Sequence, residues 1–503
     1  MTFQELLLGM EPLSVTGTLD LAVSGLYYDS RQVQPGGVFF ALRGVKSDGT
    51  DFVPAALERG AVAVVTESPL SLPGKTVVQV ANGRLAMSLM AAAFYGNASA
   101  AMPVVGITGT NGKTTTSYLV EGILEQAGFP CAVLGTVSYR LGDYSLPAPN
   151  TTPESVDLQR ILRELADRGA RAAVLEVSSH SLEQHRADGC LFDVGIFTNL
   201  TRDHLDYHLD MDSYFRSKLR LFTDLLTPEG AKPKRTAVVN LDDPVGAEIA
   251  AQATCPVLGY SVHREAELTV KEVDFSVEGI SCTVVSPAGD IRITSDLLGR
   301  FNLYNILGAV GAGLALGLPT DAIRLGITSH SKVPGRLERV DNNHGITVLV
   351  DYAHTGDALE NVLSTVSELK TGRIITVFGC GGDRDRGKRP IMAEVAARYS
   401  DLTVITSDNP RTEDPAAILA DVRGGIPAGT KEYSAEEAGS FSEKGFTVIE
   451  SRLEAIQLAI AAARRGDIVL LAGKGHEDYQ IIGTTKHHFD DREEAAAALA
   501  LRG

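Results

Sequence analysis

Short apolar runs, each ending in a polar or glycine-rich turn and followed by a stretch of helical spacing, recur from one end of this chain to the other. Near the start, Val38–Leu42 reads as a buried strand, Val53–Arg59 as a helix and Ala61–Val65, after Gly60, as the next strand. The strand at Val104 opens a second series, continued at Ala173–Val177, Val194–Thr198 and Ala237–Asn240. A third series has strands at Thr347–Asp351, Ile374–Gly379, Leu402–Thr406 and Ile468–Ala472. Apolar strands alternating with amphipathic helices predict an α/β protein on mainly parallel, doubly wound sheets. Alternation in Leu268-Thr-Val270 and Ser281-Cys-Thr-Val-Val285 predicts a β-rich insert over Ala266–Ile293. Phe301–Leu316 reads as the helix that closes the second series, and Glu493–Leu501 as an Ala-rich tail helix. Ser329–Arg336, with Pro334-Gly335, is the predicted linker to the third.

The most informative junction is Val104-Val-Gly-Ile-Thr-Gly-Thr-Asn-Gly-Lys-Thr-Thr-Thr116, where a buried-type strand runs into a glycine-rich turn and then a helical pattern. In such a turn, backbone N–H groups and a helix N-terminus form a phosphate cradle. Lys113 reaches the terminal phosphates and Thr114 can ligate Mg²⁺. The glycines, Gly106, Gly109 and Gly112, depart from the general P-loop spacing. A decorative turn would not account for a Gly-Lys-Thr triplet directly after such a strand, so nucleotide binding is predicted.

Composition narrows the remaining classes. At 503 residues the chain exceeds one hydrophobic core, and several domains are expected. A net charge of −17 argues against a nucleic-acid-binding surface while leaving local anion sites open. The five cysteines are odd in number and scattered, as expected of reduced cytosolic thiols. Met-Thr-Phe-Gln-Glu-Leu-Leu-Leu lacks a basic leader, and no run is long enough to insert in a membrane. The expectation is a soluble cytoplasmic protein.

Polar clusters follow the strands. Glu176 ends a strand where α/β sheets place their ligands, and a hard carboxylate oxygen there suits Mg²⁺ beside Thr114. Thr198-Asn-Leu-Thr-Arg-Asp-His-Leu-Asp-Tyr-His208 concentrates metal and phosphate ligands, with His204 the choice for a second metal contact. Lys218, read alone within its helical pattern, is a surface lysine. Asn240-Leu-Asp-Asp-Pro244, Asn302 and Asn305 offer hydrogen bonds suited to a base or ribose. In the third series, Gly379–Pro390, Ser407–Arg411 and Gly473-Lys-Gly-His-Glu477 each follow a strand. Arg384 and Arg411 can grip a carboxylate while Asp408, Asn409 and Glu477 meet an ammonium group, which suggests a zwitterionic, amino-acid-like substrate.

Six of these segments together resemble the Mur ligases, in order and over nearly the whole chain. They are Gly109-Thr-Asn-Gly-Lys-Thr-Thr115, Glu176-Val-Ser-Ser-His180, Thr198–Asp206, Asn302-Leu-Tyr-Asn305, Asp351-Tyr-Ala-His354 and Gly473–Glu477. Asp408-Asn-Pro-Arg411 is similar to the signature of the members that add meso-2,6-diaminopimelate rather than L-lysine. The resemblance implies three domains: 1–100 binding the UDP-substrate, a central P-loop-type ATPase over 101–334, and a C-terminal Rossmann-like domain over 335–503 that brings the amino acid. It implies ATP-dependent ligation of meso-2,6-diaminopimelate to the D-glutamyl carboxylate of UDP-N-acetylmuramoyl-L-alanyl-D-glutamate through an acyl phosphate, by a monomer.

The resemblance also implies roles. Gly109, Thr110, Asn111, Gly112, Lys113, Thr114, Thr115, Asn302, Arg336 and Asp351 would bind ATP. Thr114, Glu176, His204 and Lys218, the last as a CO₂-derived carbamate, would hold two Mg²⁺ ions. Ser30, Asn150, Thr151, Thr152, Ser178, Gln184 and Arg186 match positions for the UDP-substrate, and Arg384, Asp408, Asn409, Pro410, Arg411, Gly473 and Glu477 for diaminopimelate. The rivals are the same ligation with L-lysine, a ligase like folylpolyglutamate synthetase, and an ATP-driven scaffold. The second would leave the N-terminal Asp29-Ser-Arg31 and the Asp408–Arg411 run without a role.

Overall fold

The structure, a computed structural model, describes residues 1–44, 47–203, 205–227, 232, 234–330 and 332–502, with Leu205 and Asp206 as backbone only. Two compact units emerge. One comprises Met1–Glu272, Thr283–Ile293 and Tyr304–His330, the other Val273–Cys282, Thr294–Leu303 and the chain from residue 331 onward.

The first unit holds two sheets. Strands β1 (Ser14–Thr16), β2 (Gly25–Tyr27), β3 (Gly37–Ala41), β4 (Ala63–Thr66) and β5 (Thr76–Gln79) form the N-terminal one, in the order β1-β5-β4-β3-β2. It is parallel except for the edge strand β1. Phe40 and Val65 lie in one core with Met87 and Met90 of the Gly83–Phe94 helix. Strand β4 begins two residues later than its apolar run because Gly60, at φ +95°, turns the chain into it.

The larger sheet of that unit contains β6 (Val104–Thr108), β7 (Cys131–Leu134), β8 (Tyr139–Leu141), β9 (Tyr144–Leu146), β10 (Ala172–Glu176), β11 (Val194–Phe197), β12 (Thr236–Asn240) and β13 (Val257–Tyr260). Its order is β13-β12-β11-β6-β10-β7-β8-β9, with every pairing parallel apart from the two that β8 makes with β7 and β9. All five residues of β6 are buried, as expected of a strand covered on both faces. β6 runs between parallel neighbours β10 and β11, so all three C-terminal tips open at one edge of the sheet. Strands β14 (Thr269–Ser276), β15 (Gly279–Val285) and β16 (Ile291–Ser295) form a small sheet where the β-rich insert is predicted. The helix predicted from Phe301 runs Arg300–Ala315.

The second unit is built on β17 (Glu338–Val340), β18 (Thr347–Asp351), β19 (Ile374–Cys380), β20 (Leu402–Ser407), β21 (Lys431–Glu432), β22 (Gly445–Val448) and β23 (Ile468–Ala472). The order is β17-β18-β23-β19-β20-β22-β21, and only β17 is antiparallel. Period-two alternation sends Leu349, Phe378, Ile405 and Leu470 into one core and Val348, Val377, Val404 and Leu471 into another, one per face. This is why those strands read as unbroken apolar runs. A hairpin, β24 (Tyr479–Ile482) and β25 (Thr485–His488), follows the last strand of the sheet. No helix among the described residues is long and apolar enough to cross a membrane.

Candidate active site

The glycine-rich turn after β6 takes the shape that its residues allow. Gly109 and Gly112 have φ of +150° and +86°, and Lys113 begins the helix that runs to Gln126. A Cβ on Gly109 would run into the Thr198 hydroxyl, and one on Gly112 into the Asn305 carboxamide. The start of the Thr198 run, at the tip of β11, holds the turn from the other side. Thr198 Oγ1 donates to Asn111 O (2.7 Å), Asn111 N donates to Asn199 Oδ1 (2.9 Å) and Thr110 N to Asn199 O (2.9 Å). Lys113 Nζ donates to the carbonyls of Gly109 (2.9 Å) and Thr110 (2.8 Å). Thr115 is buried in the helix's first turn.

Glu176, at the tip of β10, is buried and faces this turn. It accepts from Thr114 Oγ1 at 3.1 Å, Thr136 Oγ1 at 2.9 Å and Thr136 N at 3.1 Å. Among the described residues, no three His, Cys, Asp or Glu side chains gather into a metal cage. One carboxylate with hydroxyls beside a phosphate cradle fits magnesium, which binds through few protein ligands plus phosphate oxygens.

Lys218 is not a surface lysine. It lies on the Met211–Arg220 helix, 1% exposed, with Nζ donating to Gly109 O at 2.8 Å and 4.5 Å from the centre of the Tyr214 ring. Burial pushes its ammonium well below the usual lysine range, and the charge of Lys113 adds to this against the pull of Asp203. The helical spacing puts Lys218 on the inward face with Tyr214 and Leu221, a signal visible in the sequence but outweighed there by its charge. His204 lies outside the described residues.

The proposed UDP-substrate positions form a second network beside the first. Thr152 Oγ1 donates to Glu176 O (2.7 Å) and accepts from Ser178 N (3.1 Å), while Ser178 caps the Ser179–Glu183 helix. Arg186 donates to Thr152 O (3.0 Å) and Gln184 Oε1 (2.7 Å) and pairs with Glu154 at 2.9 Å. Thr151 joins through Thr136 at 3.1 Å, and Asn150 accepts the Tyr139 hydroxyl at its carbonyl. Ser30 is buried in the 3₁₀ turn that Asp29 caps in the N-terminal sheet region.

In the second unit, β23, β19 and β20 are neighbours and parallel, so the three polar clusters sit at one edge. Asn409 Nδ2 donates to Glu477 Oε2 at 3.0 Å, and Arg411 Nη1 to Gly382 O at 2.8 Å, two residues before Arg384. Arg411 takes a left-handed φ of +52°, fixed by its N–H on Ile481 O (3.0 Å) and its carbonyl on Gly483 N (2.8 Å). Burial raises the Glu477 carboxyl, with the Asp408 charge adding to it. For Asp408, burial is outweighed by Lys474, Arg452 and Arg411, which hold it below the usual carboxylate range. Pro410 precedes Arg411, and Gly473, at φ +110°, donates to Asp351 O at 3.0 Å.

Asp351, at the tip of β18, accepts from Leu337 N (2.7 Å) and Ala353 N (2.8 Å) and so fastens the segment bearing Arg336. The Arg336 guanidinium stacks 4.8 Å over Tyr352. Asn302 donates to Leu298 O at 2.8 Å, whereas in the other unit Asn305 accepts from Thr116 Oγ1 at 3.3 Å beside Gly112. Sequence reasoning missed Thr136, which carries no motif, and the fully buried Arg389, whose guanidinium binds Glu413 and Asp421 beneath the Gly381–Arg384 turn.

Comparison with known proteins shows the family. Residues 107–313 match the Mur ligase middle domain, 335–475 the Mur ligase glutamate ligase domain and 22–95 the Mur ligase family catalytic domain. The chain is 64% identical to UDP-N-acetylmuramoyl-L-alanyl-D-glutamate–2,6-diaminopimelate ligase of Geobacter metallireducens, over 99% of this chain and 98% of that one. It is 47% identical to the protein of the same name from Synechococcus elongatus, over 96% and 95%. A solved structure with that name is 34% identical, with a TM-score of 0.72 over 100% of this chain and 99% of the other. MurF from Thermotoga maritima, solved in complex with ADP, shares the fold at 18% identity and a TM-score of 0.63, covering 97% and 100%.

Proposed function

Because the chain belongs to the Mur ligase family, we propose a division of labour among its residues for ATP-dependent amide-bond formation. The protein is a ligase of peptidoglycan precursor synthesis that adds meso-2,6-diaminopimelate to the D-glutamyl carboxylate of UDP-N-acetylmuramoyl-L-alanyl-D-glutamate. A carboxylate resists attack by an amine, so phosphate is first installed on it as a leaving group. The amine then attacks the acyl phosphate, and phosphate departs as the amide forms.

In this reading the Gly109–Thr115 turn and Lys113 hold the triphosphate, and Lys113 offsets charge on the transferring group. Thr114 and Glu176 would hold one Mg²⁺, and His204 with carbamylated Lys218 a second. When bound, the metal screens phosphate charge and orients the oxygens for transfer. A neutral Lys218 amine is what carbamylation requires: nitrogen attacks CO₂, one C–O π pair moves to oxygen, and a proton leaves the nitrogen. Thr151, Thr152, Ser178, Gln184 and Arg186, with Ser30 and Asn150, would position the UDP-substrate. Asn302, Arg336 and Asp351 would also bind ATP. Arg411 and Arg384 would receive the distal carboxylate of diaminopimelate, and Asp408, Asn409 and Glu477 its ammonium group, beside Pro410 and Gly473. A monomer working in the cytoplasm completes the proposal.

The observation that carries this reading is the meeting of Arg411, Asn409 and Glu477 at neighbouring strand tips, in a chain that also holds the Gly109–Thr115 turn. Lysine lacks the carboxylate that Arg411 awaits, and a half-buried cation left without it penalises the wrong substrate. Purified protein with ATP, Mg²⁺ and the UDP-muramoyl-dipeptide is expected to release phosphate efficiently only when diaminopimelate is added. Equal turnover with lysine overturns the specificity, and turnover without any amino acid overturns the ligase.

A further inference from the structure

Behind the amino-acid residues of the second unit lies a cation that the chemistry above does not use. Lys474, in the turn after β23, is 0% exposed. Its Nζ pairs with Asp408 Oδ1 at 3.0 Å, lies 3.4 Å from Asn409 Oδ1 and donates to Tyr479 O at 2.5 Å. One ammonium therefore ties two residues of the Asp408–Arg411 run to the first residue of the β24–β25 hairpin.

The hairpin grips the same run along its length. Gln480 Nε2 donates to Asp408 O at 2.6 Å and Ile481 N to Asn409 Oδ1 at 2.9 Å, while Ile481 O and Gly483 N hold the Arg411 backbone. The strained left-handed conformation of Arg411 persists because these bonds over-determine it. Asn409 has both ends of its carboxamide committed, Oδ1 to Ile481 and Lys474 and Nδ2 to Glu477, so its orientation is not free. Deeper still, Arg452 donates to Ala472 O (3.1 Å) and pairs with Asp491, both side chains 0% exposed, which fixes the strand end from which Lys474 projects.

We propose that Lys474 is a positioning residue for diaminopimelate, one that acts through Asp408, Asn409 and the β24–β25 hairpin to hold Arg411 where the distal carboxylate arrives. The inference rests on the ligase reading above. Buried and fully coordinated by this chain, Lys474 serves the substrate by aligning the groups that touch it, so its loss falls on one substrate of three.

The test is steady-state kinetics on the full-length protein, with each substrate varied in turn. Wild type first shows whether phosphate release depends on diaminopimelate; if it does not, the ligase reading falls and takes this inference with it. Given that dependence, Lys474→Met is expected to raise KM for diaminopimelate about tenfold to a hundredfold, the range for losing a charge-assisted bond, with KM for ATP and for the UDP-substrate unchanged. An unchanged diaminopimelate KM, or an equal rise in all three, overturns the proposal. In an Arg411→Ala background the same change is expected to add little, since both act through one loop; full additivity overturns it. Removing one partner of a buried pair can unfold a protein. If Lys474→Met does not fold, the partly exposed Gln480→Ala decides: a several-fold rise in diaminopimelate KM alone supports the proposal, and no change overturns it.

Discussion

Two lysines, one in each unit, are equally buried and chemically opposite. Lys474 faces Asp408 at 3.0 Å, an ion pair in which each charge offsets the other's burial. Lys218 makes no ion pair among the described residues; it meets a backbone carbonyl, an aromatic ring and the field of Lys113, and its ammonium is driven well below the usual range. The first environment is scaffolding, an ion pair that also reaches the Tyr479 carbonyl. The second disfavours the ammonium and so favours the neutral amine, the form able to take up CO₂. Burial alone therefore says little about a lysine's role, and the sign of the nearest charge says most of it.

Exchanging lysine for arginine at both places sharpens this contrast. Arginine stays protonated and cannot become a carbamate, so Lys218→Arg is expected to lower kcat by about 10²–10³. Lys474→Arg keeps a cation for Asp408 and is expected to retain most of kcat, with its cost in KM for diaminopimelate. Equal losses in kcat would erase the distinction. Next in size, Arg411→Lys replaces a fork by a point charge and is expected to raise KM for diaminopimelate about tenfold while sparing that for ATP. A matching loss for ATP would make Arg411 a structural residue.

The smallest effect concerns stability. His476 is pushed down to about 4 by burial, with Arg336, Arg492 and His354 adding to it against Asp478, and its Nδ1 has no hydrogen-bond partner among the described residues. Its folded value lies below the unfolded one of about 6.5, so the unfolded chain binds the extra proton. The stability this contributes is whole above pH 6.5 and is lost as pH falls toward 4. The expected loss is ~1–3 kcal/mol, read as a falling denaturation midpoint that His476→Gln flattens. An identical pH profile in the variant would contradict it.

Much of the fold was legible in the sequence, because strands covered on both faces must be unbroken apolar runs. Thr347–Asp351 and Ile468–Ala472 match their predicted limits to the residue, and Val104 begins β6 as expected. The elements that escaped were short or exposed. β24 and β25, Tyr-Gln-Ile-Ile and Thr-Lys-His-His, hold no buried residue, yet they fasten Arg411. At the candidate site, charged and glycine-rich motifs marked the turn after β6 and the polar clusters after β19, β20 and β23. Thr136, whose role depends on Glu176 across from it, carries no local signature, and Lys474 stands inside the Gly473–Glu477 motif, which does not reveal that it faces Asp408. Lys218, a surface residue when its segment is read alone and a metal-holding one only through the family resemblance, turns out to lie on the inward face of its helix against Gly109.

The most direct test is carbon-13 NMR of the purified protein in labelled bicarbonate. A carbamate resonance in wild type that persists in Lys474→Arg and vanishes in Lys218→Arg is the predicted result. No such resonance in wild type, or its survival in Lys218→Arg, would contradict the assignment of the two lysines.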